Sequence, residues 1–199
     1  MKPLAQGEAI ADRAFDDVYP KWARDHSRTH FTPVEVAMKA AAWLCEEPGT
    51  RVLDVGAGVG KFCMVGALTT DGIFTGAEQR PKLAALATEI ARRYGVKRCT
   101  FVTGDAFALD WSAFGGFYLY NPFAEHLPEN PFIDDSIART PDRFHKYVRA
   151  VEERLEGLRT GARVATFHGF GGRLPFGWTP VTSYRLHGGA LGLWLKTAV

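Results

Sequence analysis

Short apolar segments alternate with amphipathic segments along this chain, and this order constrains the fold more than any other feature. Runs rich in β-branched and aromatic residues predict strands, whereas apolar residues spaced three and four apart predict helices. Their alternation is typical of an α/β fold in which helices cover a largely parallel sheet. The five strands predicted in this way are Arg51–Val55, Ile73–Ala77, Cys99–Thr103, Gly116–Tyr120 and Arg163–His168.

Three helices between these strands have recognisable starts. Thr32-Pro33-Val34-Glu35 has the pattern of a capping box with proline at the first helical position. Pro81 begins a second amphipathic helix, which Gly95 ends, and Thr140-Pro141 begins a third. Near the carboxyl terminus, residues 181–187 and 190–196 flank Gly188-Gly189 and predict an antiparallel hairpin added to the sheet.

Two segments match no strand or long helix. Residues 1–32 contain at most one helix, around Ile10, Phe15 and Val18, and we expect them to form an amino-terminal flap. Residues 122–139 form a long, acidic, proline-containing loop, and loops of this length are usually functional or disordered. We expect this loop to lie on the substrate side of a single domain that spans residues 1–199, since no linker or repeat divides the chain.

The composition narrows the class of protein. With 199 residues, of which 46% are hydrophobic, the chain can form an ordinary globular core. A net charge of only +2 is small for a protein that grips a long nucleic-acid backbone. No apolar run approaches the roughly 18 residues of a membrane span, no secretory signal is evident, and three scattered cysteines predict neither a disulfide framework nor a metal site. We therefore expect a cytoplasmic protein without a metal, as a monomer or a homodimer.

A glycine-rich turn follows the first predicted strand, in the order Asp54, Gly56, Gly58 and Gly60. Glycines let the backbone turn sharply and approach a ligand without an intervening Cβ. The phosphate-binding loop needs glycine five positions before Gly60 and a hydroxyl residue after Lys61, and neither is present. The dinucleotide fingerprint G-x-G-x-x-G/A also fails, because counting from Gly56 places Lys61 at its third small position.

The spacing Asp-x-Gly-x-Gly-x-Gly resembles motif I of the class I S-adenosylmethionine-dependent methyltransferases. An acidic residue, Glu78, follows the second strand, and Gly104-Asp105-Ala106 follows the third, as in that family. The resemblance implies a doubly wound, Rossmann-like, seven-stranded mixed sheet that ends in an antiparallel hairpin. It also implies S-adenosylmethionine as the cofactor, with Glu78 on the ribose hydroxyls and Asp105 and Ala106 at the adenine. The cofactor-binding residues expected from it are Asp54, Gly56, Ala57, Gly58, Gly60, Glu78, Gln79, Asp105, Ala106 and Asn121.

The fourth strand ends in Asn121-Pro122-Phe123, which resembles the (Asp/Asn)-Pro-Pro-(aromatic) motif of class I enzymes that methylate nitrogen. The resemblance implies that these three residues are catalytic: the amide and a backbone carbonyl orient an amine while an aromatic ring packs against it. The second proline of the motif is absent, and Phe123 comes one position early. Glu125 and His126 follow closely and are candidates to accept a proton, and Thr32 is a further candidate.

The resemblance implies a methyltransferase that acts on an amine or amide nitrogen of a protein side chain or a small molecule. Three alternatives stay open at this stage. The first is a non-catalytic protein that only binds S-adenosylmethionine, and the second is a methyltransferase for RNA bases, which the low net charge disfavours. The third, an NAD-dependent oxidoreductase, is disfavoured by the glycine spacing.

Overall fold

The computed structural model describes residues 1–198; Val199, the last residue of the predicted domain, lies outside the described residues. Seven strands form one sheet in the order β3-β2-β1-β4-β5-β7-β6. Strands β1 to β5 run parallel, and β7 pairs antiparallel with both β5 and β6. The strands are β1 (Arg51–Val55), β2 (Ile73–Glu78), β3 (Cys99–Thr103), β4 (Gly116–Tyr120), β5 (Arg163–Phe167), β6 (Trp178–Leu186) and β7 (Gly189–Lys196).

Eight α-helices accompany the strands within residues 1–198. Four are short and lie in the amino-terminal segment, where the sequence predicted at most one helix. The helices are α1 (Lys2–Ala5), α2 (Asp12–Asp16), α3 (Lys21–Arg24), α4 (Ser27–His30), α5 (Val34–Leu44), α6 (Lys61–Thr69), α7 (Pro81–Arg93) and α8 (Pro141–Glu156). Short 3₁₀ turns occur at Ala106–Ala108, Trp111–Ala113 and Ala124–His126, the last of them inside the predicted loop 122–139.

The sheet is covered on both faces, as the doubly wound prediction requires. Residues of α5, α6, α7 and the amino-terminal segment share one core cluster with side chains such as Phe74 and Tyr118. Residues of α8 and the 3₁₀ turns form the other cluster with Leu53 and Phe117, which point from the opposite side of β1 and β4. The seven-stranded mixed sheet and its antiparallel end are thus confirmed.

The predicted hairpin turn and the predicted capping box are both wrong. The hairpin turn is His187-Gly188 rather than Gly188-Gly189, because Leu186 pairs with Gly189, and both turn residues have positive φ. The capping box at Thr32 does not form. The Thr32 hydroxyl lies 3.2 Å from the Tyr118 hydroxyl, and the Val34 N–H donates instead to Asp12 at 2.8 Å.

Candidate functional site

A cleft of about 290 Å³ lies at the carboxyl ends of the parallel strands. The strand order reverses between β1 and β4, and ligands of doubly wound folds bind at such a switch point. Most of the predicted site residues line the cleft, whereas Asp54, Ala57 and Gly60 do not. The predicted residues that line it are Gly56, Gly58, Glu78, Gln79, Asp105, Ala106, Asn121, Pro122 and Phe123.

The glycine turn has the backbone that its spacing predicts. Gly56, Gly58 and Gly60 all have positive φ, at 79°, 54° and 78°. The N–H groups of Gly56 and Ala57 both donate to the carbonyl of Ala77 at 3.0 Å, which ties the turn to β2. A Cβ on Gly58 would meet no atom within 4 Å, so the backbone is open towards the cleft there. Gly60 instead packs inside the protein at the start of α6.

Glu78 ends β2 and joins it to the glycine turn. Its Oε2 accepts a hydrogen bond from the Gly58 N–H at 2.8 Å, and its Oε1 accepts one from the Arg80 N–H at 2.8 Å. Burial raises the pKa of this carboxyl, while the two backbone donors and the Arg80 charge act to lower it. Glu78 is thus a buried acceptor held at the edge of the cleft.

Asp54 lies behind the cleft rather than on its wall. It is buried in β1, and the Cys63 thiol donates to its Oδ2 at 3.5 Å. Burial raises the pKa of Asp54 from 3.8 to about 7, although the hydrogen bond from Cys63 opposes this rise. The geometry therefore gives Asp54 a place under the glycine turn, with no direct path to a ligand in the cleft.

The predicted adenine end follows β3. Gly104 donates its N–H to the carbonyl of Glu78 at 2.9 Å, and Asp105 accepts from the Phe107 N–H at 3.0 Å. Ala106 is buried, and the Phe107 ring stacks on Tyr147 with 5.8 Å between centroids. This end of the cleft therefore combines a carboxylate with an aromatic wall, and the sequence did not point to Phe107.

Asn121 and Pro122 lie where β4 runs into the cleft. Asn121 has φ of 38°, an uncommon conformation for a residue other than glycine, and its N–H donates to the carbonyl of Gly169 at 2.9 Å. Among residues 1–198, we find no hydrogen bond to its side-chain amide. Pro122 closes over the glycine turn, since a Cβ on Gly56 would lie 3.2 Å from the Pro122 Cβ. Uncommon backbone conformations such as that of Asn121 cluster at functional sites.

Phe123 differs from the aromatic residue that the motif predicts. It is only 5% exposed and stacks on Tyr147 at 5.1 Å, so most of its ring belongs to the core beneath the cleft. Tyr120 and Phe31 also line the cleft; Phe31 is 7% exposed, and the Tyr120 hydroxyl donates to the carbonyl of Thr29 at 3.3 Å. Neither ring was singled out in the sequence as an acceptor contact.

Glu125 and His126, the two candidates for proton acceptance, have separate environments. Arg80 holds the Glu125 carboxylate in a bidentate pair at 2.8 and 2.9 Å. His126 is buried against the Tyr147 ring, and its Nδ1 has no hydrogen-bond partner within the described residues. Burial lowers the pKa of His126, and the charge of Glu125 partly offsets this. Both residues line the cleft, but the Glu125 carboxylate is already bound to Arg80 in an ion pair.

A second cavity, of about 970 Å³, lies beside the cleft and under the amino-terminal segment. Phe31 and Tyr120 line both spaces, so the two adjoin at these rings. Charged residues of α2 to α4 form much of its wall, and Phe167 lies at the sheet side. Lys61 holds this wall to α6 through ion pairs with Asp12 and Asp16, each of 2.7 Å.

The chemistry of the cleft fits the adenosyl cofactor that the sequence resemblance implies. Each oxygen of an ionised carboxylate has two lone pairs, so Glu78 can accept hydrogen bonds from a vicinal diol in addition to its backbone donors. The open backbone at Gly58 and at Gly104, where a Cβ would also meet no atom within 4 Å, leaves room for a ligand to approach. Carboxylates at Glu78 and Asp105 favour a ligand with positive charge. Within residues 1–198, no group of three or more His, Cys, Asp or Glu side chains is arranged to hold a metal ion.

Comparison with known proteins agrees with this geometry. Residues 46–117 match a family described as "Methyltransferase domain", which covers β1 to the start of β4 and includes the glycine turn and Glu78. The match ends before Asn121. No curated protein matches the sequence. In the described part of the chain, no helix is long and apolar enough to cross a membrane.

Solved structures share the fold at low sequence identity. An RNA methyltransferase from Salinibacter ruber in complex with S-adenosyl-L-homocysteine has 23% identity and a TM-score of 0.56, with 82% of this chain and 89% of that chain covered. TrmN from Thermus thermophilus has 21% identity and a TM-score of 0.61, with 87% and 53% covered. A mutant of MtNAS in complex with S-adenosylmethionine has 13% identity and a TM-score of 0.60, with 98% and 72% covered.

The resemblance to the class I methyltransferases is thereby confirmed over residues 46–117, the part of the chain that carries the glycine turn and Glu78. The sheet order, the antiparallel end and the placement of Glu78 at the cleft agree with it. Residues 46–117 match a methyltransferase domain, and the chain has the fold of the class I methyltransferases, whose cofactor is S-adenosylmethionine.

Proposed function

We propose that this protein transfers the methyl group of S-adenosylmethionine to a nitrogen atom, an amine or amide of a protein side chain or of a small molecule. The observation that carries the proposal is Asn121. Asn121 lines the cleft just after β4 with a positive φ of 38°, and its side-chain amide has no hydrogen-bond partner among the described residues. A strained, uncommitted amide beside a cofactor cleft is suited to binding a substrate group.

On the acceptor side, Asn121 orients the nitrogen. Its amide oxygen accepts a hydrogen bond from an acceptor N–H, and a backbone carbonyl of the same turn accepts a second. The nitrogen lone pair then points into the cleft. We assign Tyr120 and Phe31 as the rings that pack against the acceptor, because both line the cleft and the cavity beside it. Orientation of this kind removes much of the entropic part of the barrier to a bimolecular transfer.

On the cofactor side, we assign the ribose hydroxyls to Glu78 and the adenine to Asp105, Ala106 and Phe107. The backbone of Gly56 and Gly58 lies along the methionine portion. When bound, S-adenosylmethionine supplies a methyl carbon made electrophilic by its positively charged sulfur. Gln79 lines the same wall, but its side chain donates to the Tyr147 hydroxyl at 3.0 Å and supports the wall from behind.

The acceptor enters from the second cavity. That cavity adjoins the cleft at Phe31 and Tyr120, the two rings assigned to the acceptor. The amino-terminal segment, which we propose acts as a flap, supplies much of its wall and is held in place by Lys61. A cytoplasmic location and a monomeric or homodimeric state remain predictions, which cell fractionation and analytical ultracentrifugation test.

The test of the proposal compares three substitutions at Asn121. Asn121→Gly removes the amide and relieves the positive φ, Asn121→Ala removes the amide and keeps the strain, and Asn121→Asp retains one oxygen acceptor. We expect all three to bind S-adenosylhomocysteine like the wild type in calorimetry. In transfer of labelled methyl groups to cell extract, we expect the glycine and alanine variants to lose at least about 100-fold in rate. Unchanged transfer by both of these variants contradicts the role of Asn121.

A second acceptor class, a nitrogen of an RNA base, is favoured by one observation. The Salinibacter ruber protein of the same fold is described as an RNA methyltransferase. Separation of the labelled extract into protein, RNA and small-molecule fractions distinguishes the acceptors. Label confined to RNA replaces our acceptor class while leaving the cofactor and Asn121 assignments intact. S-adenosylmethionine binding without label in any fraction favours a binding protein, and NADH binding alone favours an oxidoreductase.

A further inference from the structure

Arg80 is a buried cation at the junction between β2 and α7. Its side chain is 5% exposed, and its guanidinium contacts two carboxylates of residues 122–139, which we call the acceptor segment. Nη1 and Nη2 donate to Glu125 at 2.8 and 2.9 Å, and Nε donates to Asp134 at 2.9 Å. All the guanidinium nitrogens therefore bond to one segment of the chain.

The same residue is joined to the cofactor edge. The Arg80 N–H donates to Oε1 of Glu78 at 2.8 Å, and Nη1 lies 4.0 Å from that oxygen. Arg80 thus stands between the carboxylate assigned to the ribose and the carboxylate of Glu125. Without the guanidinium, Glu78, Glu125 and Asp134 would face one another as like charges.

Arg80 supplies the only ion pairs that connect the acceptor segment to the rest of residues 1–198. The other ion pair of the segment, Arg139 with Asp135, is internal to it. A buried ion pair is a weak device for stability alone, since apolar residues of the same volume often stabilise a fold as well. Its directional, bidentate geometry is suited instead to setting the position of a loop.

We propose that Arg80 is a positioning residue that holds the acceptor segment against the cofactor edge, so that cofactor on Glu78 and closure of the segment stabilise each other. The inference rests on the proposed function, because it needs the cofactor at Glu78. Arg80 touches neither acceptor nor methyl group and acts through Glu125 and Asp134. By linkage, a cofactor that favours the closed segment binds more weakly once the segment is released.

Hydrogen–deuterium exchange of the full chain, with and without S-adenosylhomocysteine, tests this. We expect the ligand to slow exchange in the acceptor segment of the wild type. Arg80→Gln should exchange at least about 10-fold faster in that segment, with β1 and α6 unchanged, and should bind the ligand about 10-fold more weakly. Arg80→Lys should show smaller changes in both exchange and affinity, because lysine keeps the positive charge but cannot donate to a carboxylate through two nitrogens. Arg93→Gln, at the last residue of α7 and in an exposed pair with Glu89, is the matched control and should behave like the wild type.

Two further variants separate positioning from folding. Glu125→Gln alters the segment without touching the β2–α7 junction and should reproduce much of the local change. In the double variant Arg80→Gln/Glu125→Gln, the effects should not add, because both act through one contact. Unchanged segment exchange in Arg80→Gln and Glu125→Gln, with ligand bound normally, overturns this proposal alone. Faster exchange of the whole chain in both variants also overturns it. Failure of the wild type to bind S-adenosylhomocysteine overturns the proposed function and the coupling together.

Discussion

Replacing Lys61 with methionine removes a buried charge that attaches the amino-terminal segment to α6. The Lys61 side chain is 3% exposed, and its Nζ lies 2.7 Å from an oxygen of Asp12 and 2.7 Å from one of Asp16. It also lies 5.5 Å from the centroid of the Phe15 ring. Methionine preserves most of the side-chain volume, so the substitution tests the charge and its hydrogen bonds rather than the packing.

The expected loss of stability depends on the contacts that Asp12 and Asp16 retain when Lys61 is replaced. Removing one partner of a buried ion pair costs about 3–5 kcal/mol, because the other charge is left uncompensated. Asp12 is 38% exposed and can be hydrated, and Asp16 keeps the hydrogen bond from the Ser27 hydroxyl. We therefore expect the lower end, about 3 kcal/mol in the free energy of unfolding. For a chain of this size this corresponds to roughly 6–12 °C in melting temperature.

Urea unfolding followed by circular dichroism measures this cost, and Lys21→Met is the matched control. Lys21 pairs with Asp25 at 2.8 Å, but the two side chains are 80% and 57% exposed, so we expect less than about 0.5 kcal/mol. The double variant Lys61→Met/Asp16→Asn should recover part of the loss, because it removes the stranded carboxylate. A cost below about 1 kcal/mol for Lys61→Met, similar to that of the control, would refute the reasoning.

Three further outcomes test the site and its support. Glu78→Gln should weaken S-adenosylhomocysteine binding about 10- to 100-fold in calorimetry, because it removes a charged acceptor of two hydroxyls; equal affinity excludes Glu78 from the ribose site. The raised pKa of Asp54, about 7 against 3.8, means that folding favours its protonated form, so its contribution to stability is present at pH 4 and lost as pH rises through 7. In urea unfolding, Asp54→Asn should therefore be more stable than the wild type at pH 8, by about 4 kcal/mol at most, and the difference should vanish towards pH 4. A stability difference that does not change with pH would contradict the raised pKa of Asp54. Gly60→Ala would place a Cβ 2.9 Å from the Ala87 Cβ at a φ of 78°, and it should lower the free energy of unfolding by at least about 2 kcal/mol. Gly95→Ala, at a φ of 64° but with open space around the Cβ, should lower it by about 1 kcal/mol in the same assay. Equal losses would show that packing around Gly60 does not matter.

Most of the fold could be predicted because its signals are local. Strands β1 to β4 follow from apolar runs between turns, and Thr140 caps α8 by accepting from the Arg143 N–H, as its position before Pro141 predicts. The first strand of the hairpin was predicted over residues 181–187, after Pro180. The strand in fact begins at Trp178, and Pro180 is tolerated because β6 is an edge strand, where a missing N–H faces solvent.

The site was predictable only where its residues follow strand ends. Gly56, Glu78 and Asn121 come directly after or at the end of strands, so the topology alone brings them to one cleft. Arg80 carries no such signal, because its partners lie 45 and 54 residues further along the chain and loop residues determine their position. At Thr32 the local sequence matches a capping box, but the capping box does not form. Its hydroxyl instead lies within hydrogen-bond distance of the hydroxyl of Tyr118, which is far away in the sequence.

Lys61 and Arg80 have corresponding places in the fold. Each is buried, each follows the end of a strand whose last residues line the cleft, and each binds two carboxylates of a segment outside the sheet. Lys61 attaches the amino-terminal segment beside β1, and Arg80 attaches the acceptor segment beside β2. Both segments are therefore attached close to the strand ends that carry the proposed cofactor contacts, the amino-terminal segment through Lys61 at the start of α6 and the acceptor segment through Arg80.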